Sequence, residues 1–191
     1  MRKLIIILLL TSIVIAMPMV LGIAEGPKAV EEWFSKLNDL TKEKVTKLHF
    51  YFHGIASGKN STSMPVVLSN ATSSSATLFG DIFVADDPLT VGPELHSKTV
   101  GRAQGLYSGA ALAEAGLLMT MNLVFTDGIY NGSTLSLFGR NSILDLYREM
   151  SIVGGTGVFR LARGIATAKT FSFSTTTFNA VVEYSVMIIH Y

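Results

Sequence analysis

The stretch that decides the fold runs from Leu117 to Thr126 and reads LLMTMNLVFT. Every second residue, beginning with Leu117, is apolar, whereas Thr120, Asn122 and Thr126 lie among the residues between. A β-strand turns successive side chains to opposite faces, while an amphipathic helix repeats every 3.6 residues. The two-residue period therefore predicts a strand with one buried face.

The same period governs the chain from Val45 onward, and turn-forming residues separate the apolar runs. The alternation predicts strands at Leu48–His53, Met64–Leu68, Leu78–Ala85, Lys98–Tyr107, Leu117–Thr126, Ser133–Gly139, Glu149–Val153, Arg163–Phe171 and Ala180–Tyr191. Turns are expected at residues 56–60, 86–88, 127–128, 131–132 and 154–157. Short strands without helical crossovers indicate an antiparallel barrel or sandwich, and closing a barrel removes exposed edges.

The first residues have the layout of a secretory signal peptide. Arg2 and Lys3 precede an apolar run from Leu4 to Met17, and Gly22 and Ala24 supply the small residues of a cleavage site. A membrane anchor is the alternative, but the run is shorter than the roughly 20 residues of a span. We expect a signal peptide at 1–24, a leader at 25–44 that is a short helix or disordered, and one domain at 45–191.

Composition excludes several classes of function. The chain has no cysteine, so disulfides, thiolate metal sites and a thiol nucleophile are absent. Its net charge is +1 with dispersed basic residues, which argues against a nucleic acid partner. His49 and His53 share a strand face, but no third ligand is spaced to complete a metal site. The glycines of 154–157 lack the ending of a phosphate loop. No metal or cofactor is expected.

Three Asn-x-Ser/Thr triplets begin at Asn60, Asn70 and Asn131. In an exported chain such triplets are glycosylation sites on surface loops, although chance occurrence is common in sequence rich in serine and threonine. Each lies beside turn-forming residues, which favours the use of at least one.

Candidate functional side chains follow from strand ends and small residues. Asp86 and Asp87 either cap a turn or place a carboxylate at a barrel mouth that can transfer a proton. The small residues before Tyr107 leave space in a barrel lumen, where Tyr107 and Gln104 would bind a ligand. Arg148 either forms a weak surface pair with Glu149 or holds a phenolate.

Several stretches together resemble the plant dirigent family, in order over about residues 47–191. They are LHFYFH at 48–53, DDPLT at 86–90, VGRAQGLY at 100–107, NGSTL at 131–135, REM at 148–150, VGGTG at 153–157 and RG at 163–164. The resemblance implies an eight-stranded antiparallel β-barrel of the dirigent and allene-oxide-cyclase type. It also implies a homodimer or homotrimer in the apoplast that acts on phenolic phenylpropanoids. Residues 51–53 and 139–141 are more similar to the broader branch that includes pterocarpan synthases.

The resemblance also assigns site residues, with two departures. Tyr107 and Arg148 match pocket positions of the family. The family's aspartate after the Phe-His pair is replaced by Gly54, and a second family carboxylate by Asn141. Glycine cannot transfer a proton and an amide is a poor acid, so Asp86 or Asp87 would have to substitute, and Asn141 is expected to bind substrate instead.

The resemblance implies a scaffold that gives one handedness to the coupling of coniferyl alcohol radicals, as in lignan formation. Without an oxidative centre, such a scaffold needs a separate extracellular laccase or peroxidase, and it is favoured over an enzyme. The first alternative is a dehydratase and cyclase of the pterocarpan synthase type, which handles a quinone methide made from an isoflavanol. The second is a wall-associated or defence protein whose pocket has lost its chemistry.

Overall fold

The computed structural model describes residues 27–36, 43–69 and 77–191. The expected signal peptide and Asn70 therefore lie outside the described residues. A helix, α1, covers Pro27–Ser35 in the segment expected to be a short helix or disordered. None of the described helices has the length and hydrophobicity needed to cross a membrane.

Nine strands follow in the described chain, joined in part by 3-10 turns at Gly128–Tyr130 and Gly157–Phe159. The strands are β1 Lys44–Gly54, β2 Ser63–Val67, β3 Ile82–Thr90, β4 Thr99–Gly109, β5 Gly116–Phe125, β6 Thr134–Ser142, β7 Arg148–Thr156, β8 Arg163–Phe173 and β9 Ala180–His190. All strand pairings are antiparallel, in the order β1-β9-β8-β7-β6-β5-β4-β3-β2.

A pairing of β1 with β3 closes eight of these strands into a barrel, with β2 as an additional strand on β3. The predicted eight-stranded antiparallel barrel is therefore confirmed. Its interior is filled by the alternating apolar residues that the sequence pattern assigned to one face. On β5 these are Leu117, Met119, Met121, Leu123 and Phe125, all buried.

The predicted turn at 86–88 is wrong, because Asp86, Asp87 and Pro88 lie within β3. Pro88 cannot donate a ladder hydrogen bond, so a central strand normally excludes it. The N–H of Asp86 donates a hydrogen bond to the carbonyl of Thr62, on the side of β3 that faces β2 and β1. Backbone groups of a strand repeat their direction every two residues, so the nitrogen of Pro88 faces this side as well. On that side β2 pairs only with 82–85 and β1 only with 89–90, so Pro88 occupies a gap in the ladder.

The small residues of β4 have a different role from the predicted one. A Cβ atom at Gly105 would clash with the backbone carbonyl of Thr120 on β5. One at Gly101 would clash with the carbonyl of Val124. These glycines therefore permit close approach of two strands, rather than leaving space in the lumen.

Candidate active site

Asp87 lies on the inner face of β3 and is 1% exposed. Its Oδ1 accepts a hydrogen bond of 2.5 Å from the Thr62 hydroxyl, and its Oδ2 has no partner among the described residues. Burial raises the pKa of the Asp87 carboxyl to about 7, against the opposing effects of the Thr62 hydrogen bond, a backbone hydrogen bond from Ile55 and the charge of Arg102. At neutral pH this group is therefore divided between acid and carboxylate, which suits proton transfer.

Asp86 and Gln104 lie on the outer face of the barrel. Asp86 Oδ1 accepts a hydrogen bond of 2.5 Å from Arg102 Nε and one of 3.1 Å from Gln104 Nε2. Neighbouring residues on a strand point to opposite faces, so Asp86 and Asp87 cannot both reach the lumen. The structure therefore does not bring Asp86 or Gln104 together with the interior candidates.

Tyr107 extends from the inner face of β4, next to β3. Its hydroxyl is 2.6 Å from the Oγ of Ser63, and its ring stacks on Phe83 with centroids 4.8 Å apart. Burial raises the pKa of the Tyr107 phenol, and the charge of Asp87 raises it further. Tyr107 is therefore a neutral phenol whose hydroxyl lies in the same electrostatic environment as the Asp87 carboxyl.

Arg148 begins β7 and is buried, with its guanidinium inside the barrel. Its Nε donates a hydrogen bond of 3.0 Å to Oδ1 of Asn141, and its Nη1 donates one of 3.0 Å to the Thr170 hydroxyl. Burial lowers the pKa of Arg148 below its usual value, and the charge of Asp145 opposes this decrease. Glu149 is exposed on the opposite face, so the surface pair between Arg148 and Glu149 is not formed.

Tyr184, on β9, is an interior phenol that the sequence reasoning missed. Its ring stacks on Phe50 with centroids 5.6 Å apart, and burial raises its pKa to about 12. The charge of Arg148 opposes this increase in the pKa of Tyr184, and the charge of Asp87 adds to it. The alternation within 180–190 could have revealed it, because Tyr184 lies in phase with buried Val182 and Val186.

Gly54, the position of the missing family aspartate, ends β1 beside this cluster. β1 and β3 are antiparallel and pair Phe52 with Leu89. Gly54, two residues after Phe52, therefore lies on the same side of this pair as Asp87, two residues before Leu89. A Cβ atom at Gly54 would meet only the ring edge of Phe52 at 3.3 Å and a carbonyl at 3.9 Å. A carboxyl group near this position is thus supplied by β3 instead of β1.

The two histidines do not converge on a common point. His49 is 2.8 Å from Glu183 through its Nε2, and buried His53 is 2.7 Å from the Thr90 hydroxyl. The described residues contain no group of three or more His, Cys, Asp or Glu side chains that could hold a metal. Each histidine thus has its own hydrogen-bonding partner.

Surface features lie apart from this cluster. Asn60 and Asn131 are both exposed, the first between β1 and β2 and the second between β5 and β6. Two surface hollows are also present. One is lined by residues 48–50, Val100, Phe125 and 127–130, and the other by residues 120–122, 136–138 and Val153. Neither hollow contains an interior titratable group, so the polar part of the lumen is the candidate site.

The fold and the site together define a closed antiparallel β-barrel that carries a carboxyl, two phenols and a guanidinium among its interior side chains. The model of the Dirigent-like protein family matches residues 45–189. The chain is 46% identical over 182 residues to Dirigent protein 23 of Arabidopsis thaliana, covering 95% of each chain. This protein therefore belongs to the dirigent family, as its sequence predicted.

Two further similarities concern pterocarpan synthases. The chain is 48% identical over 151 residues to pterocarpan synthase 1 of Glycyrrhiza echinata, covering 78% of this chain and 80% of that protein. A solved structure of a pterocarpan synthase dirigent protein aligns with a TM-score of 0.74 at 48% identity. That alignment covers 79% of this chain and 87% of the other. The family to which the chain belongs therefore includes members of the pterocarpan synthase type.

Proposed function

We propose that this protein forms and closes a quinone methide from a phenolic benzylic alcohol such as an isoflavanol, as a pterocarpan-synthase-like dehydratase. The observation that carries the proposal is the buried Asp87 carboxyl, whose pKa is raised to about 7. Gly54 and Asn141 remove the carboxyls that the family resemblance led us to expect. Asp87 supplies an interior acid, and its raised pKa keeps much of it protonated near neutral pH.

The chemistry needs an acid but no oxidant. Asp87 donates its proton to the benzylic hydroxyl, the carbon–oxygen bond breaks and water leaves. The ring phenol releases its proton to solvent and the Asp87 carboxylate takes one up, which gives a neutral quinone methide and regenerates the acid. A second phenolic oxygen of the same molecule then attacks the benzylic carbon, and its proton is released as the first phenol regains one. The net change is the loss of one water molecule.

The remaining interior groups suit the phenolic oxygens. An arginine side chain stays positively charged in proteins. Arg148 can therefore stabilise the negative charge that develops on the substrate's phenol oxygen as that oxygen loses its proton. Tyr107 and Tyr184 remain protonated and can donate hydrogen bonds to the same substrate. If the barrel holds the benzylic carbon and the attacking phenolic oxygen in one orientation, only one face of that carbon can be attacked. This restriction would give the product its handedness.

The test is incubation of the protein with enantiopure isoflavanols in the absence of any oxidant, followed by chiral chromatography. We expect a cyclised product that has lost one water, in enantiomeric excess, with saturation kinetics. Absence of turnover with all isoflavanol stereoisomers would contradict the proposal.

The second candidate is the stereoselective coupling of coniferyl alcohol radicals generated by an extracellular laccase or peroxidase. It is favoured by the apolar lining beside the polar cluster, where Phe50, Phe52 and Tyr184 form an aromatic group able to hold planar rings. This function needs orientation and no acid. Chiral analysis of the products formed with added laccase tests it, and a racemic mixture at saturating protein excludes it for this substrate.

We further propose that the protein is exported to the apoplast as a glycoprotein. The proposal rests on the apolar segment from Leu4 to Met17 and on the exposure of Asn60 and Asn131. Fusion to a fluorescent protein in plant cells, followed by plasmolysis, tests the location. A mobility shift on glycosidase treatment, lost in Asn60→Gln or Asn131→Gln, tests the glycans.

We also propose that the barrel assembles as a homodimer or homotrimer through its outer face. One continuous row of strand-paired residues crosses eight strands of that face, with one residue on each strand from β2 to β9: Met64, Val84, Leu106, Thr120, Phe138, Ser151, Ile165 and Met187. The six apolar members are each at least 40% exposed. Exposed apolar side chains that lie in one row, interrupted only by Thr120 and Ser151, are typical of an interface between subunits.

A further inference from the structure

We propose that the loop from Ile55 to Ser63 is the positioning element of the site, with Thr62 aligning Asp87 and Ser63 aligning Tyr107. The proposal rests on the proposed function for the chemical roles of Asp87 and Tyr107. It assigns roles to two hydroxyl groups that the family resemblance did not single out. The two hydroxyls are consecutive in sequence, yet they hold side chains from two different barrel strands.

The first contact is direct. Thr62 Oγ1 donates to Asp87 Oδ1 at 2.5 Å, which leaves Oδ2 as the oxygen without a partner among the described residues. One carboxyl oxygen is thus fixed by the protein and the other remains for a proton or a substrate hydroxyl. A donor on one oxygen also fixes the plane of the carboxyl group, which sets the direction in which Oδ2 can deliver a proton.

The second contact repeats this arrangement one residue later. Ser63 is buried, and its Oγ lies 2.6 Å from the Tyr107 hydroxyl. The Tyr107 ring is already confined by stacking on Phe83. The position of the phenol oxygen is therefore defined by one hydrogen bond and one ring contact.

The loop holds these hydroxyls by its own backbone. The carbonyl of Ile55 accepts hydrogen bonds from the N–H groups of Thr62 and Ser63, at 2.9 Å and 3.3 Å, and from the Ser61 hydroxyl at 2.9 Å. The carbonyl of Thr62 accepts from the N–H of Asp86 at 2.8 Å. Thr62 is thus fixed on both sides of its Cα, which is the preorganisation that a positioning residue needs.

The same threonine has a second chemical role in the sequence. Thr62 is the third residue of the triplet that begins at exposed Asn60, and that triplet requires a hydroxyl residue at this position. Its hydroxyl would therefore serve glycan attachment in the unfolded chain and Asp87 in the folded barrel. Removal of that hydroxyl affects both, so the two roles must be separated by choice of variant.

Three variants separate them in protein secreted from a yeast host. Thr62→Val removes the hydroxyl and the glycosylation triplet, Asn60→Gln removes only the triplet, and Thr62→Ser keeps both. The pKa of the Asp87 carboxyl is measured by NMR with ¹³C-labelled aspartate, with Asp87→Asn to assign the resonance. The Thr62 hydrogen bond lowers this pKa, so we expect Thr62→Val to raise it by roughly one pH unit. Thr62→Ser and Asn60→Gln should match the parent protein.

The activity of the same variants provides a second readout. With Asp87 as the acid, the rate declines above its pKa, so Thr62→Val should move that decline to higher pH and lower the maximal rate. An unchanged Asp87 pKa in Thr62→Val overturns the proposal, as does an equal change in Asn60→Gln. A raised pKa without turnover of any isoflavanol supports the positioning role and contradicts the proposed function. Turnover of an isoflavanol with an unchanged Asp87 pKa in Thr62→Val supports the proposed function and contradicts the positioning role.

Ser63 gives an independent measurement if Thr62→Val does not fold. The Ser63 hydrogen bond lowers the pKa of the Tyr107 phenol, so Ser63→Ala should raise it, as followed by NMR of ¹³C-labelled tyrosine and assigned with Tyr107→Phe. Ser63→Thr, which keeps the hydroxyl, should restore the parent value. A Tyr107 pKa that is the same in both variants and the parent would overturn this half of the proposal.

Discussion

The guanidinium of Arg148 donates a hydrogen bond of 3.0 Å from Nε to Oδ1 of Asn141 inside the barrel. Both side chains are buried, so this neutral amide is the direct partner of an interior cation. The family resemblance places a carboxylate at this position, which Asn141 replaces in this chain. The amide does not compensate the positive charge of Arg148, and the carboxylate that acts on this charge is that of Asp145.

Replacement of Asn141 tests this contact. Asn141→Leu leaves the buried Nε–H of Arg148 without its acceptor, which should lower the free energy of unfolding by about 1–3 kcal/mol. Asn141→Asp keeps the acceptor and should cost much less, since the new charge is paired. Denaturant unfolding measures both. Asn122→Leu, on the outer face of β5, is the matched control and should change stability little. Equal losses at 122 and 141 would contradict the buried contact.

The two adjacent aspartates should differ sharply in activity. Asp87→Asn removes the interior acid and should lower kcat for isoflavanol dehydration by about 10²- to 10⁴-fold. Asp86→Asn removes a partner of Arg102 on the outer face and should leave kcat nearly unchanged. Steady-state kinetics measures kcat for both variants, and circular dichroism checks that both are folded. Similar kcat values for the two variants would exclude Asp87 as the acid.

Strand alternation predicted most of the barrel because it is a local property of the chain. It failed at residues 86–88, where Asp-Asp-Pro is a strong local turn signal. Pro88 is accommodated only because β1 and β2 leave a gap beside it, and that gap is set by strands far away in sequence. Local patterns carry no information on such gaps.

The candidate site was predicted only in part, because some of its features are local in sequence and others depend on distant strands. Tyr107, Arg148 and Asp87 were singled out from the sequence, and the resemblance supported the first two. Their partners were not, because Thr62 is 25 residues from Asp87 and Thr170 is 22 residues from Arg148. Which hydroxyl meets which titratable group depends on strand register around the closed barrel, and a single sequence does not specify that register.

The raised pKa of Asp87 also predicts a pH dependence of stability. An unfolded aspartate titrates near 3.8 and the folded Asp87 at about 7, so the folded state binds more protons between these values. The free energy of unfolding should therefore fall as pH rises from about 4 to 7, by about 4 kcal/mol from this group. Asp87→Asn should remove that part of the decline, while Asp86→Asn retains it. Identical pH profiles for Asp87→Asn and the parent protein would be inconsistent with the raised pKa.

Gly54→Asp restores a carboxyl at the family's position. Its Cβ has room, and the new carboxylate would lie near Asp87, where like charge raises the pKa of Asp87 further. The upper limit of the pH–rate profile should move to higher pH by roughly one unit. Gly54→Ala is the steric control and should leave that limit unchanged. A profile that moves equally in both variants would show that side-chain bulk, and not charge, is responsible.

The outer row of apolar residues makes the assembly testable. Phe138, near the middle of the row, is 48% exposed, and a charge there would have to be buried if this face is an interface between subunits. We expect Phe138→Glu to reduce the mass in sedimentation equilibrium from two or three subunits to one, because an unpaired buried charge costs several kcal/mol. Leu144→Glu is the matched control, since Leu144 is 83% exposed in the β6–β7 connection and lies outside the row. It should leave the mass unchanged. If Phe138→Glu assembles like the parent protein, the row is not the interface, and the exposed apolar side chains of β2 to β9 need another explanation.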